Sequence, residues 1–356
     1  MPVWLLPIFY LAFVLGTVLL SFYGERKLAA FFQDRLGPME AGRYGLLQAA
    51  ADILKLMQKA PSKVLGADGL LFAAAPVLVL LAVFSGFAAV PLWPGADTGL
   101  LPLGVFFILA VIALEVLGIW IAGYASASKF SMLGAMRALG QMVSYEVPLG
   151  LSALAIVVWV GSADLTEIHL SQVYLGEPIW FMGVKNGWDV GPLEGIFTWH
   201  IFQGVWAFPL LLVFYISALA ECNRAPFDLP EGESEIIGGF HTEYSGFQFA
   251  IFFLAEYAMM TLVSLLAAFL FLGGWQSPLP NIGPVALSEW TSTGLWGFGW
   301  LALKVWMLIF TQIWLRWTLP RLRMDQLMAL GWKVLTPIAL VCLLLVMVNR
   351  YWLNVG

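Results

Sequence analysis

Apolar residues run along this chain in eight long stretches separated by short polar, Gly- or Pro-containing segments, at roughly 3–23, 70–92, 100–123, 141–161, 199–220, 247–272, 294–318 and 333–352. A bilayer core is spanned by about 20 such residues in an α-helix, so the pattern predicts eight transmembrane helices. Runs of this length, with Pro and Gly at their ends, favour helices over the alternating strands of about ten residues in an outer-membrane barrel. The first stretch has no basic residue before it and no small-residue cleavage pattern, and is expected to remain as an anchor rather than be removed.

A different period appears between the first two stretches, in the loop 24–69. Leu46, Leu47, Ala50, Ile53, Leu54 and Met57 recur at helical spacing, while Gln48, Asp52, Lys55 and Lys59 take the opposite face. This predicts an amphipathic helix over 44–60, lying in the membrane interface or else packed on the soluble side under its own bundle or against a partner. The expected fold class is therefore all-α: a polytopic membrane protein of about eight transmembrane helices plus one interfacial helix, in a single integral domain. Two other loops stand out: 162–198, long, Gly-rich and acidic, and 221–246.

Composition agrees with the pattern: of 356 residues 61% are hydrophobic and 11% charged, far from the roughly 25% charged residues of soluble domains. Charge distribution then sets an expected orientation. Arg26, Lys27, Arg35, Arg43, Lys55, Lys59, Lys63, Lys129, Arg137, Arg224, Arg316, Arg321, Arg323 and Lys333 fall on one side, against Lys185 and Arg350 on the other. Both termini are thus expected outside, with the loops 24–69, 221–246 and 319–331 inside. Trp4, Trp93, Trp159, Trp199, Trp275, Trp296 and Trp352 fall near the outer interface, where an aromatic belt is expected. A net charge of −5 offers no basic surface to nucleic acid. Two cysteines, Cys222 and Cys342, and three histidines, His169, His200 and His241, are too few for a cluster or haem ligand set, so no intrinsic metal or cofactor is expected.

Ionisable residues inside apolar stretches are expensive, and Glu115, Glu146, Glu256 and Lys304 are four of them. They mark a proton or ion path, or else buried ion bridges between helices. Lys304 could pair with an intramembrane Glu or relay a proton. The inner loop 221–246 carries Glu221, Asp228, Glu231, Glu233, Glu235 and Glu243 against one arginine, Arg224. Pro226, Phe227, Leu229, Ile236, Ile237 and Phe240 interleave with these acids, which predicts a loop folded into a cavity rather than a solvated tail. Carboxylates crowded in such a cavity disfavour one another's ionised forms and titrate together, as a proton relay requires.

The same loops carry a family resemblance. Glu25-Arg26-Lys27, Ala30, Gln33, Arg35, Gly37-Pro38, Ala51-Asp52 and Lys55-Leu56 open it, and Arg137, Gln141 and Ser144-Tyr145-Glu146 continue it. It is densest in Ala220-Glu221, Asn223-Arg224, Pro226-Phe227-Asp228-Leu229, Glu231-Gly232-Glu233-Ser234-Glu235, Gly239-Phe240, Glu243-Tyr244-Ser245-Gly246 and Ala255-Glu256-Tyr257, and closes with Pro320-Arg321, Arg323, Asp325-Gln326-Leu327-Met328 and Trp332-Lys333. Together these resemble the NuoH family, the quinone-site membrane subunits of respiratory complex I, the proton-translocating NADH:quinone oxidoreductase. Gly140 stands where that family's pattern has Ala, and the loop 162–198 is longer than usual.

The resemblance implies an eight-helix heel subunit docked under a peripheral arm. Flavin and iron–sulfur clusters would sit on partner subunits, and antiporter-like and small membrane subunits would lie alongside. Quinone would be the substrate, entering between the first helix, the interfacial helix and the sixth helix. By the same resemblance Glu25, Arg26, Arg35, Asp52, Arg224 and Asp228 would line or shape the quinone chamber. Glu221, Glu231, Glu233, Glu235 and Glu243 would join it to Glu146, Glu115 and Glu256, with Lys304 a further candidate on the proton path. The chain would be part of an enzyme with no complete active site of its own. Alternatives are the heel of a membrane-bound hydrogenase or ferredoxin-fed complex, a stand-alone ion transporter, and a structural anchor whose buried carboxylates have no role. The absence of a visible transit peptide points to a bacterial inner membrane.

Overall fold

The computed structural model describes residues 6–61, 64–93, 101–174, 176, 178–183, 188–230, 232, 236–281 and 287–355. The described residues are helices and connecting turns, with one isolated antiparallel bridge, Trp180 with Asp189. In chain order the helices are α1 (Leu6–Phe32), α2 (Gln48–Gln58), α3 (Gly69–Gly86), α4 (Gly104–Ala125), α5 (Lys129–Val160), α6 (Leu165–Leu170), α7 (Ala207–Glu221), α8 (Phe247–Phe271), α9 (Leu287–Thr291), α10 (Gly294–Thr318), α11 (Met324–Ala329) and α12 (Thr336–Val355). Among the described residues seven spans are long and apolar enough to cross a membrane, α11 and α12 counting as one, and the 15-residue α7 is a shorter apolar helix. The protein is an all-α polytopic membrane protein.

Every predicted stretch contains a helix, and the boundaries move for identifiable reasons. α1 continues through Glu25-Arg26-Lys27 to Phe32, because Glu25 is buried and paired inside the bundle and so does not end the span. α5 starts twelve residues before its apolar stretch and reaches 32 residues, about 48 Å at 1.5 Å per residue, so it projects beyond a core of about 30 Å. α7 starts at Ala207 instead of near 199, since His200–Phe202 form a 3₁₀ turn and Gly204 follows. The last span begins at Met324 and passes through a π-turn, Leu330–Leu335, where the Thr336 hydroxyl donates to the Gly331 carbonyl at 2.8 Å.

α8 is the axis of the bundle: 72% of its most apolar window is buried, against 22% to 50% for the other six spans. α1, α3, α7 and α10 pack on it, and α4 and α5 complete the layer behind α3. Small residues set the closest approaches. A Cβ at Gly118 of α4 would lie 3.2 Å from the backbone nitrogen of Val79 in α3, and one at Gly134 of α5 would lie 2.7 Å from Cα of Gly239.

The C-terminal end of α8 is buried, so its carbonyls need partners from elsewhere. Gln172 donates to Phe269 at 2.9 Å, His200 Nδ1 contacts the Leu270 carbonyl at 2.7 Å, and His169 Nδ1 contacts that of Gly273 at 2.9 Å. Lys304 of α10 donates to the carbonyls of Leu272, Gly274 and Gln276 at 2.6, 2.9 and 2.7 Å. Trp199 lies over its ammonium at 4.1 Å. This alters the expectation of a lipid-facing tryptophan belt, because Trp199 and Trp275 are 9% and 7% exposed and pack against Lys304 and His169 respectively.

Burial lowers His200 to about 4 and His169 to about 3, the carbonyl contacts opposing it in both, so both rings are neutral in the fold. A histidine in the unfolded chain titrates near 6.5, about the ordinary value. The unfolded chain therefore binds more protons below that value, and stability present above it is lost as pH falls toward the folded pKa values. The thermal midpoint should decrease between about pH 7.5 and pH 5. His200→Asn, which keeps a donor for Leu270 and cannot titrate, should give a shallower decrease in the same thermal scans.

Candidate functional site

At the other end of α8 the structure gathers charges from four elements. Glu25 of α1 is buried and accepts from Arg224 at 3.1 Å, from the Tyr257 hydroxyl at 2.6 Å and from Arg316 of α10. Arg224, 4% exposed, also pairs through Nε with Glu256 of α8 at 2.6 Å, and its guanidinium lies 4.3 Å from the Tyr257 ring centroid. One cation thus bridges two carboxylates on helices that pack against each other. Burial works against the charge on Arg224, but Glu25 and Glu256 outweigh it and push the guanidinium further above its ordinary range. Glu256 and Tyr257 are consecutive on α8, about 100° apart around its axis, so one meets the arginine while the other meets Glu25.

Three cavities meet around this cluster. The first, about 260 Å³, lies between α1, α2 and α8; Val18, Leu19, Phe22, Ile53 and Leu254 make it apolar, and Arg26 and Asp52 stand at its wall. Arg26 pairs with Asp52 at 2.6 Å, and Asp52 also meets Gln48 and Lys55 at 3.2 and 3.7 Å. The second, about 690 Å³, is charged, with Arg224, Asp228, Glu256, Arg316 and Arg321 on its walls. The third, between Glu115, Glu221 and Glu256, leaves about 20 Å³ for the centre of a water, room for one molecule. Both Glu221 oxygens and Glu115 Oε2 are buried without a hydrogen-bond partner among the described residues, so a water there would have polar groups to bridge. Phe253 lines all three cavities, and His241 and Glu256 line the second and third.

The structure brings together Glu25, Arg26, Asp52, Arg224, Asp228, Glu115, Glu221 and Glu256 around these spaces. Arg35 is exposed and bonds Gln33 at 2.7 Å, away from them. Glu146 is half-buried in mid-α5, and Glu243 is partly buried in the turn after His241. Glu231, Glu233 and Glu235 lie outside the described residues. Lys304 meets backbone carbonyls rather than a carboxylate; twelve residues before Arg316 on α10, it sits about 18 Å along the axis from that residue. Among the described residues no three His, Cys, Asp or Glu side chains are grouped to hold a metal ion.

Sequence reasoning missed Arg316, Tyr257, Arg321 and His241 as site residues. In the sequence Arg316 stands out only as an inner-side charge. Its place in the last turn of an apolar helix, where a guanidinium can reach back along the bundle, is the signal that could have found it. Nothing in the sequence pattern singles out His241.

A family model described as NADH dehydrogenase matches residues 5–347. A protein of Cytophaga hutchinsonii, named as the second H-type subunit of NADH-quinone oxidoreductase, is 47% identical over 97% of this chain and 98% of its own length. Proteins of Chlorobium luteolum and Rhodospirillum centenum, named as H-type subunits of NADH-quinone oxidoreductase, are 45% and 40% identical, each over 96% of this chain, covering 86% and 92% of their own lengths.

The paired charges set an order of stabilities. Arg224→Met leaves Glu25 and Glu256 facing each other without their shared cation and should cost about 3–5 kcal/mol. Tyr257→Phe removes one hydrogen bond to a charged group and should cost about 1.5–3 kcal/mol. Thermal unfolding of the two variants in the same detergent checks the ranking.

Proposed function

This chain belongs to the NADH dehydrogenase family and is a membrane subunit of an NADH-quinone oxidoreductase, and on that premise we propose that it forms the entry and lower wall of the quinone site. The observation that carries this reading is the cavity between α1, α2 and α8, whose apolar lining ends at the Arg26–Asp52 pair. An isoprenoid tail suits the apolar part, and a head group passing Arg26 and Asp52 meets hydrogen-bonding charges. Reduction of a quinone takes two electrons and two protons. In this reading the electrons come from iron–sulfur clusters, fed by flavin, on the partner subunits of a peripheral arm. This chain supplies shape, charge and protons. Arg26, fixed by Asp52 and lying 4.5 Å from the Phe22 ring centroid, is held where its guanidinium hydrogen-bonds a head group passing through the entry. Lysine would not replace it, because the planar fork is what Asp52 and the ring both position.

Coupling to proton movement follows from shared charge. Negative charge entering the charged cavity competes with Glu25 and Glu256 for Arg224 and Arg316. A change in how Glu256 is paired is felt by Glu115 and Glu221 across a cavity with room for one water. Groups so close titrate as one system, so a redox event on one side changes proton occupancy on the other. The proton shift then passes toward antiporter-like neighbours, with Glu146 on that route. Both termini lie on the outer side of a bacterial inner membrane in this reading, on the basic-residue distribution. The names of the relatives favour this over a hydrogenase heel or a stand-alone transporter.

Arg26→Ala in the assembled complex should raise KM for a short-chain quinone about tenfold, equivalent to about 1.4 kcal/mol, with little change in kcat. Steady-state assays with NADH as donor check this. An unchanged KM in an assembled variant would remove Arg26 from the entry path.

A further inference from the structure

His241 sits where the charged cavity and the carboxylate cavity share a wall. From the carboxylate side it faces Glu115 of α4, Glu221 of α7, Glu256 of α8 and the Cys222 thiol. From the charged side it faces Arg224, Asp228, Arg316 and Arg321. These two sets are what the proposed coupling must connect, and among the described residues this imidazole is the one titratable group besides Glu256 that touches both spaces.

The ring is held in place. Phe240, Phe249 and Phe253 surround it with centroid separations of 4.5, 5.6 and 6.1 Å. The turn that carries it is pinned to α5: Ser131 donates to the Phe240 carbonyl at 2.9 Å, and Gly134 leaves room for the backbone of Gly239. Thr242 closes the turn by donating to the Gly239 carbonyl at 2.7 Å. A side chain built only to fill space here would not need a turn fixed at three points and an edge on each cavity.

We propose that His241 is the proton relay between the charged cavity and the buried carboxylates, a role that rests on the quinone-site reading above. A proton arriving from the carboxylate cavity, from a water or from Glu256, binds one ring nitrogen. The N–H on the other nitrogen then breaks, and that proton leaves into the charged cavity. A water-mediated shift of the remaining proton from one ring nitrogen to the other restores the starting tautomer with the ring in place. Only N–H and O–H bonds form and break, and no oxidant or reductant takes part. Such a relay must be neutral at rest, since neutral imidazole offers one donor and one acceptor while the imidazolium offers two donors. Burial lowers His241 to about 4, consistent with that resting state.

The test uses the intact complex in sealed vesicles, with quinone reduction and proton translocation measured on the same samples from about pH 6 to pH 9. In His241→Gln, uncoupled quinone reduction serves as the reference rate, because the readout is the ratio of protons moved to electrons passed and not the rate itself. Protons moved per two electrons should fall at least about twofold in the same variant. His241→Glu, which can again carry a proton, should recover part of the ratio with an altered pH profile. An unaltered ratio and profile in His241→Gln would overturn the relay. So would failure of both variants to assemble, which would assign the ring a packing role. An unaltered complex that reduces no quinone, or moves no proton while doing so, would instead overturn the function proposed above and not this residue alone.

Discussion

A single guanidinium holds the working end of this molecule together. Arg224 is buried between Glu25 of α1 and Glu256 of α8, and the bundle at that end can close only because each carboxylate faces a cation it shares. Burying one unpaired carboxylate would cost several kcal/mol, more than any apolar contact nearby returns. Pairing removes that penalty and leaves a cluster with little net charge, in which Arg316 and Tyr257 satisfy the remaining lone pairs of Glu25. Such a cluster is poised: a new negative charge in the adjoining cavity competes for the same two arginines. Stability and the proposed coupling therefore rest on the same contacts.

The opposite end of α8 handles a buried charge differently. Lys304 is satisfied by three backbone carbonyls and an indole face, with no carboxylate among those contacts. Carbonyls do not titrate, so this arrangement ties the side chain to the backbone at the end of α8. The contrast separates the two ends of the bundle: one built from paired ionisable side chains, the other from a helix terminus that locks the turn 272–276 and the histidines around it. On this account Lys304 closes the far end of the molecule instead of extending the carboxylate chain.

Much of this was legible in the sequence because hydrophobic length and period are local properties. Eight apolar stretches and the 3.6-residue period of Leu46, Ile53, Leu54 and Met57 mark the spans and the segment containing α2 without tertiary information. Glu115 and Glu256 stand out because a charge in an apolar run has no local explanation. What the sequence hid was pairing. Glu25 and Tyr257 are 232 residues apart and Glu25 and Arg316 are 291 apart, so neither contact leaves a periodic trace. Helix ends shift for the same reason, since a charge such as Glu25 ends an apolar run on paper and not in a bundle that supplies Arg224. The sequence gives no sign that His241 lines two cavities at once, because that follows only from how the turn 239–242 packs between α4, α5 and α8.

The most direct test of the account is whether reducing the quinone changes protonation of the buried carboxylates. Redox-induced infrared difference spectra of the assembled complex read this through the carboxyl C=O stretch. The account predicts a band that appears on quinone reduction and is lost in Glu256→Gln and Glu115→Gln while the quinone bands themselves persist. Identical carboxyl bands in the unaltered complex and both variants would contradict it, because the charge of the reduced quinone would then not reach the carboxylates behind Arg224.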